Sequence, residues 1–261
     1  MLACRASFDS LGAAAPLRMT ARFFRPPPLV AGAEIALPSD AAHHARQVLR
    51  LRVGDTVTLF DGEGGEYGAQ IARVTPKAVS VRVIERHAVE RESPLQITLV
   101  QSLVAADRMD YAIQKAVELG AVAIVPVASA RSVTRLEGER AQRRLEHWRQ
   151  VVIASCEQCG RNRVPEVHAA SELREWLRRP SKAELRVLLA PRATQSLGEL
   201  SAPTGAIELL IGPEGGLSPE EETAAHGAGF RAVRVGPRTL RTETAGPAVL
   251  AAMNGLWGDW R

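Results

Sequence analysis

The segment Leu209-Leu210-Ile211-Gly212-Pro213-Glu214-Gly215-Gly216-Leu217-Ser218-Pro219-Glu220-Glu221 puts a ligand-accessible backbone directly before a helix start. An apolar run ends in a Gly-rich turn. Ser218 is placed to cap the next helix, Pro219 fits its first position, and Glu221 completes an S-x-x-E capping box. The acidic first turn suits the positive end of the helix dipole. Glycines let a ligand approach the backbone closely, and a buried strand feeding such a loop is how α/β proteins build a crevice. The loop lacks the Lys and Ser/Thr of a P-loop and is not G-x-G-x-x-G, and Glu214 opposes a polyphosphate. Taken alone, these residues fit a tight strand–helix turn without a ligand equally well.

A second unit of the same kind follows. Phe230 to Gly236 reads as a strand with Val233 and Val235 on one face. It runs through Pro237-Arg238-Thr239-Leu240-Arg241-Thr242-Glu243-Thr244-Ala245-Gly246-Pro247 into the apolar Ala248 to Met253. Thr242 or Thr244 is expected to cap this last helix, with Pro247 in its first turn. Two strand–loop–helix units this close in sequence can share one crevice.

The elements that must position these loops divide near residue 90. From Arg22 to Ile84 the pattern is short strands and turns, with a hairpin of Thr56–Phe60 and Tyr67–Val74 around Gly62, Gly64 and Gly65. A further strand spans Lys77 to Ile84, a short helix lies around Asp40–Leu51, and Arg86 to Pro94 reads as a charged linker. Strand and helix then alternate. Leu95–Leu103 is a strand. The next helix, with Asp107 as its expected cap, carries a stripe of Met109, Ala112, Ile113, Ala116 and Val117 and stops at Gly120. Ala121–Val127 is a strand, Glu139–Cys159 a long helix and Arg186–Ala190 a strand. This order predicts an α/β domain with a parallel sheet flanked by helices.

At this point the chain resembles a known family. The blocks G-P-E-G-G-L-S and V-G-P-R-T-L-R-T-E-T-A look like those of the bacterial 16S rRNA (uracil-N3) methyltransferases of the SPOUT superfamily. The likeness extends through Gln114–Gly120, Cys156–Glu166, Arg91–Leu95 and His44–Arg50, and covers about Met19 to Trp257. It implies a PUA-like β-barrel RNA-binding domain over residues 19–90 and a SPOUT methyltransferase domain with a C-terminal trefoil knot over residues 91–261. The cofactor it implies is S-adenosylmethionine, and the acceptor is N3 of a specific uridine of 16S rRNA in the assembled small subunit. SPOUT enzymes work as homodimers, and the apolar, small-residue-rich helix from Ala248 to Trp257 suits either an interface or burial within one subunit.

Carried over residue by residue, the cofactor pocket takes Gly212, Pro213, Glu214, Gly215 and Gly216 from the first loop. The second supplies Val235, Gly236, Leu240, Arg241 and Thr242, and Leu189 on the neighbouring strand is a lesser candidate. Leu240 packs either on the cofactor or in ordinary core. Uracil N3 carries a weakly acidic proton, so a general base is useful. Glu243 is the candidate, its alternative role being a cap or ion pair at the helix start. Arg241 is the candidate to stabilise charge on the uracil oxygens, or else pairs with Glu214 or Glu243. Phosphate contacts are expected from Arg22, Arg25, Arg46, Arg50, Arg52, Arg131, Arg135, Arg161 and Arg163.

The remaining features narrow the class. The 261 residues carry a formal net charge of +4, which permits an RNA partner without demanding one. No run approaches a membrane span, and the compartment implied is the cytoplasm. Cys156 and Cys159 fall on the apolar face of one helix and read as core rather than as a metal site, so no metal is expected. Residues 1–18 lie outside the family likeness, lack the apolar core of a signal peptide, and read as disordered or as a mis-assigned start. Two other functions stay open: a SPOUT methyltransferase with another acceptor such as a ribose 2'-hydroxyl, and a non-catalytic rRNA-binding assembly factor.

Overall fold

The protein is described by a computed structural model over residues 20–260. The expectation for residues 1–18 lies outside the described residues.

The amino-terminal part is a curled five-stranded sheet. Its strands are β1 (Arg22–Phe24), β2 (Glu34–Ala36), β3 (Thr56–Phe60), β4 (Glu66–Val74) and β5 (Val79–His87), in the order β1-β3-β4-β5-β2. The expected hairpin is β3–β4, with Thr56 opposite Gln70 and Leu59 opposite Tyr67. Alternation along β3, β4 and β5 turns Val57, Leu59, Ala69, Ile71, Val81 and Val83 into one interior, closed by Phe23 and Ala45. The expected short helix is two pieces, α1 (Ser39–His43) and a π-helical turn over His44–Val48.

The second part is a seven-stranded parallel sheet. It comprises β6 (Ile97–Ser102), β7 (Ala123–Ala128), β8 (Glu166–Val167), β9 (Ser171–Glu172), β10 (Leu185–Leu189), β11 (Ile207–Ile211) and β12 (Arg231–Val233). The order is β12-β10-β11-β6-β7-β8, with β9 also paired to β7. Helices α2 (Ala106–Glu118), α3 (Gly138–Cys159) and α6 (Thr242–Trp257) cover one face, and α4 (Leu173–Leu177) and α5 (Pro219–Gly227) the other. Because both faces are covered, the strands read as continuous apolar runs. Leu99, Ile124, Val187 and Leu209 enter one core, and their neighbours Val100, Val125, Leu188 and Leu210 enter the other.

The buried residues of α2 are the five of the predicted stripe, and Gly120 takes φ +86° just past its end. Its N-cap is Ala105, without a side-chain bond, so Asp107 does not cap it and lies inside the first turn. On α3, Cys156 is fully buried and Cys159 packs against the same core. Burial pushes the Cys156 thiol up to about 12, which keeps it unreactive at neutral pH.

The segment expected to be a charged linker is instead a strapped joint. Glu90 Oε1 accepts from the Gly65 N–H at 2.8 Å, and Arg91 donates to Glu66 at 2.9 Å. Glu92 receives both Nε and Nη2 of Arg161, whose Nη1 donates to the carbonyls of Val117 and Ala121. Ser93 donates to Asn254 on α6 at 2.8 Å. Arg22 reaches Glu66 and Asn162, and the backbone N–H of Phe24 donates to Glu157. The local charge density of this stretch is therefore spent on fixing one sheet to the other.

The predicted capping box at α5 forms. Ser218 accepts from the Glu221 N–H, and Glu221 Oε2 accepts from the Ser218 N–H at 2.9 Å. The second Glu221 oxygen accepts from the Ala130 N–H at 2.7 Å, beyond β7. This carboxylate is 2% exposed, so it staples two loops from within the protein.

Three outcomes follow. Arg161→Ala leaves Glu92 without its partner at a site where the arginine side chain is 5% exposed. The change should cost about 3–5 kcal/mol, read from urea unfolding. Burial pushes the Glu66 carboxyl up, but bonds and charge from Arg91 and Arg22 outweigh it and hold it at about 2, against an ordinary 4.5. A depressed acid contributes stability that is present above 4.5 and lost as pH falls towards 2. Glu66→Gln should flatten that part of the stability–pH curve. Glu221→Ala strips a partner from two backbone donors and should cost about 1–3 kcal/mol for each donor left dry, measured as a loss of melting temperature.

Candidate methyl-donor site

Strand β10, one in from the edge of the sheet, pairs with β11 on one side and β12 on the other, all parallel, with Leu188 beside both Leu210 and Ala232. The loops that leave β11 and β12 therefore emerge from the same end of the sheet. They flank the end of β10, about 10 Å apart at one strand spacing each. Gly212–Gly216 form the first loop, and the second runs from Arg234 to Arg241. The strand expected over Phe230–Gly236 is shorter than predicted. Beyond Val233, Arg234 turns to bridge Ser196 rather than continue the ladder.

Leu189, Val235 and Leu240, at the end of β10 and along the second loop, are partly buried and packed on the main core. Gly216 and Gly236 have φ of +69° and +72°, and a Cβ at either would meet nothing within 4 Å. Backbone is thus exposed to open space on both loops, in a conformation that suits glycine. Pro213 is buried beneath the turn, while Glu214, Gly215 and Gly216 are exposed. Arg131 clasps this loop from the side, its Nη1 donating to the carbonyls of Gly215 and Leu217.

The acidic side of the crevice was only half foreseen. Glu214 accepts from Nη1 of Arg108 at 2.9 Å, and Glu243 lies 3.8 Å from Nε of the same guanidinium. The acids expected to pair with Arg241 are paired with Arg108 instead. Arg241 is exposed and sits at the N-cap of α6 without a side-chain bond. Thr242 and Thr244 do not cap α6, because the helix already begins at Thr242. Pro247 lies inside the helix rather than in its first turn. Having no N–H, it leaves the Glu243 carbonyl without its helical donor. Glu243 Oε2 is buried with no partner, and so is Oε1 of Gln101 at the end of β6. Gln101 faces Gly246, one turn along α6 from Glu243.

Arg108 was missed, although the sequence carried a signal for it. A cation in the first turn of a helix opposes the dipole and needs another reason to be there. Of the arginines expected on RNA, Arg22 and Arg161 are tied into the joint, with side chains only 9% and 5% exposed. Arg135 pairs with Glu172, Arg163 with Glu90, and Arg25 donates to the Pro26 carbonyl. Arg50 and Arg52 are exposed and Arg46 half-buried, beside the exposed Val48, Leu49 and Val53. Arg50 holds φ +53°, an uncommon conformation for a residue with a side chain.

The residues fit a cationic, partly aromatic ligand. Partly buried apolar side chains, two glycines with open space beside them and two carboxylates joined through Arg108 lie on the segments that follow β10, β11 and β12, and among the described residues no cluster of His, Cys, Asp and Glu is placed to hold a metal. Surface concavities of about 350 Å³, between α4 and α5, and about 210 Å³, beside α3 and β8, lie away from these loops. No helix among the described residues is long and apolar enough to cross a membrane.

Known proteins resemble this chain over most of its length. A family described as "RNA methyltransferase domain" matches residues 91–254, and one described as "RNA methyltransferase PUA domain" matches residues 37–84. A curated relative from Mycobacterium bovis, named ribosomal RNA small subunit methyltransferase E, is 34% identical over 88% of this chain and 89% of its own length. A structure of the Neisseria gonorrhoeae protein of that name, bound to S-adenosyl methionine, is 41% identical. It superposes with a TM-score of 0.86 over 93% of this chain and all of the other. A Legionella pneumophila methyltransferase structure with SAM bound is 36% identical, with a TM-score of 0.88 over 92% of this chain and 99% of its own. The chain belongs to the ribosomal RNA small subunit methyltransferase E family.

Proposed function

We propose that this chain transfers a methyl group from S-adenosylmethionine to N3 of one uridine of 16S rRNA, acting on the assembled small subunit. The observation that carries the reading is the crevice between the β11 and β12 loops. It brings two carboxylates and partly buried apolar side chains to the segments that follow β10, β11 and β12, in a chain whose relatives are named for this class of reaction. S-adenosylmethionine, when bound, supplies a methyl carbon on a positively charged sulfonium. Backbone groups of Gly212–Gly216 and Val235–Thr242 would hold its adenine, with Leu189 and Leu240 against the apolar face. Glu214 supplies charge of the sign a sulfonium requires.

Glu243 is the base in this reading. One of its oxygens is directed at Arg108, while Oε2 is buried without a donor. A buried acceptor left bare is costly, and the N3–H of uracil is a donor of the right kind. As that proton passes to Oε2, negative charge spreads onto the uracil carbonyl oxygens. Arg241, exposed beside the loop, is placed to stabilise it.

The division of labour follows from the two sheets. We assign residues 19–90 to RNA binding, through Arg46, Arg50 and Arg52, and residues 91–261 to methyl transfer. We also read the last two loops as closing into a trefoil knot, since β11 enters between β6 and β10 while β12 lies outside β10. A homodimer is proposed across the carboxyl end of α6, where the large apolar side chains of Leu256 and Trp260 are exposed. An rRNA substrate supports a cytoplasmic location.

Small subunits from cells lacking this protein, incubated with it and labelled cofactor, should gain one methyl group. Mass mapping should find it on N3 of a uridine; a methyl on a ribose oxygen, or no uptake of cofactor, would overturn the reading. Glu243→Gln should lower the transfer rate by about 100-fold or more, while cofactor affinity stays within about twofold.

A further inference from the structure

We infer that Arg108 is a positioning residue that ties the Gly-rich loop to the start of α6, so that one guanidinium sets the donor pocket and the proton acceptor relative to each other. The inference rests on the reading of Glu243 as the base.

Arg108 gains nothing from its own helix. It stands in the first turn of α2, where the dipole disfavours a cation. Its backbone is nevertheless firmly placed. The next residue, Met109, and Ala112 and Ile113 one turn on are buried in the main core, and α2 packs along α6. A side chain launched from so fixed a base carries positional information.

Its contacts are split between two loops that reach the crevice from different strands. Nη1 meets Glu214 at 2.9 Å, and Nε lies 3.8 Å from Glu243. Two carboxylates facing one crevice repel each other, and a cation between them turns that repulsion into two attractions. The use of separate nitrogens matters. A planar fork can span two acids in fixed directions, which a single ammonium cannot. The remaining side of the Gly-rich loop is already held by Arg131 and, through the α5 cap, by Glu221. Arg108 supplies the tie across the crevice.

The tie also breaks the symmetry of the Glu243 carboxylate. Oε1 is directed at Arg108 and Oε2 has no partner. The guanidinium thus leaves Oε2 as the oxygen without a partner. A base displaced by about an ångström can lose on the order of a hundredfold in rate, so the tie bears on turnover more than on binding.

The test uses the full chain carrying Arg108→Ala, Arg108→Lys, Glu214→Gln and the Arg108→Ala/Glu214→Gln pair. Methyl transfer to undermethylated small subunits gives kcat and KM, and calorimetry gives cofactor affinity. Arg108→Ala should lower kcat about ten- to a hundredfold while KM for the subunit stays within about threefold. Arg108→Lys should recover little of the loss. At saturating cofactor the double variant should be no slower than Arg108→Ala, because Glu214 enters the tie only through its contact with Arg108. The pair is partly exposed, so the melting temperature should move by no more than about 2 °C. Wild-type kcat in Arg108→Ala would overturn the inference. So would losses that multiply in the double variant, or a fall in kcat matched by a collapse of melting temperature. If the wild-type protein methylates no subunit, the functional reading fails on its own, and amide exchange judges the tie. Arg108→Ala must then speed exchange at both Gly215–Gly216 and Thr244–Ala245; faster exchange at one loop only, or at neither, overturns it.

Discussion

A parallel strand covered on both faces has its backbone committed to its neighbours along its whole length, and its carboxyl end is where that commitment stops. In this protein the constraint decides where chemistry can occur. At the end of β6 the opening is filled, since Gln101 and Ser102 are both fully buried. At the ends of β10, β11 and β12 it is not. There the chain passes through Gly212, Gly216 and Gly236, and the last two hold backbone conformations that keep neighbouring space open. The site is therefore a property of the sheet order. Any sequence that places β10 between β11 and β12 brings those two loops together, and side chains only decide what they bind.

Charge is distributed to match. The crevice carries two carboxylates, while the exposed arginines Arg50 and Arg52 lie on the other sheet. Under the proposed function, Arg50 and Arg52 would draw a polyanion to the amino-terminal sheet, and the crevice, where Arg108, Arg131 and Arg241 offset the two acids, would take a single base. Arg108 keeps that crevice from being a bare acidic patch, and leaves Arg241 as the exposed cation at its mouth.

What could be read from the sequence was what depends on neighbours in the chain. The α2 stripe follows from 3.6-residue periodicity and is reproduced residue for residue. The capping box at Ser218 is a matter of four adjacent residues and forms as read. Errors entered where a partner lies far along the chain. Arg161 and Arg22 look like phosphate ligands until Glu92, Glu66 and Asn162 are brought to them from 69, 44 and 140 residues away. The second bond of Glu221, to Ala130, is hidden for the same reason. The threonine caps proposed for α6 failed differently. Arg241 is extended and the helix starts one residue later, so neither threonine occupies the capping position. Pro247 then falls in the second turn, where it frees a carbonyl on the residue proposed as base.

The joint between the sheets bears on function as much as the crevice does. If RNA is held by one sheet and methylated at the other, the distance between them is part of the active geometry. An apolar interface would resist separation but permit sliding, because burial of area has no direction. Here the apolar contact, in which Phe60 and Phe24 join the main core, is pinned by directional bonds. Arg161 is fixed by Glu92 and two backbone carbonyls, Arg22 by Glu66 and Asn162, and Ser93 by Asn254 on the same helix that carries Glu243. Such pairs add little net stability over packed hydrocarbon, yet a shift of one sheet breaks several at once and leaves buried charge unpaired. Under the proposed function, the arginines that looked available for RNA would serve recognition indirectly, by holding the amino-terminal sheet at a set distance from the helix that carries Glu243.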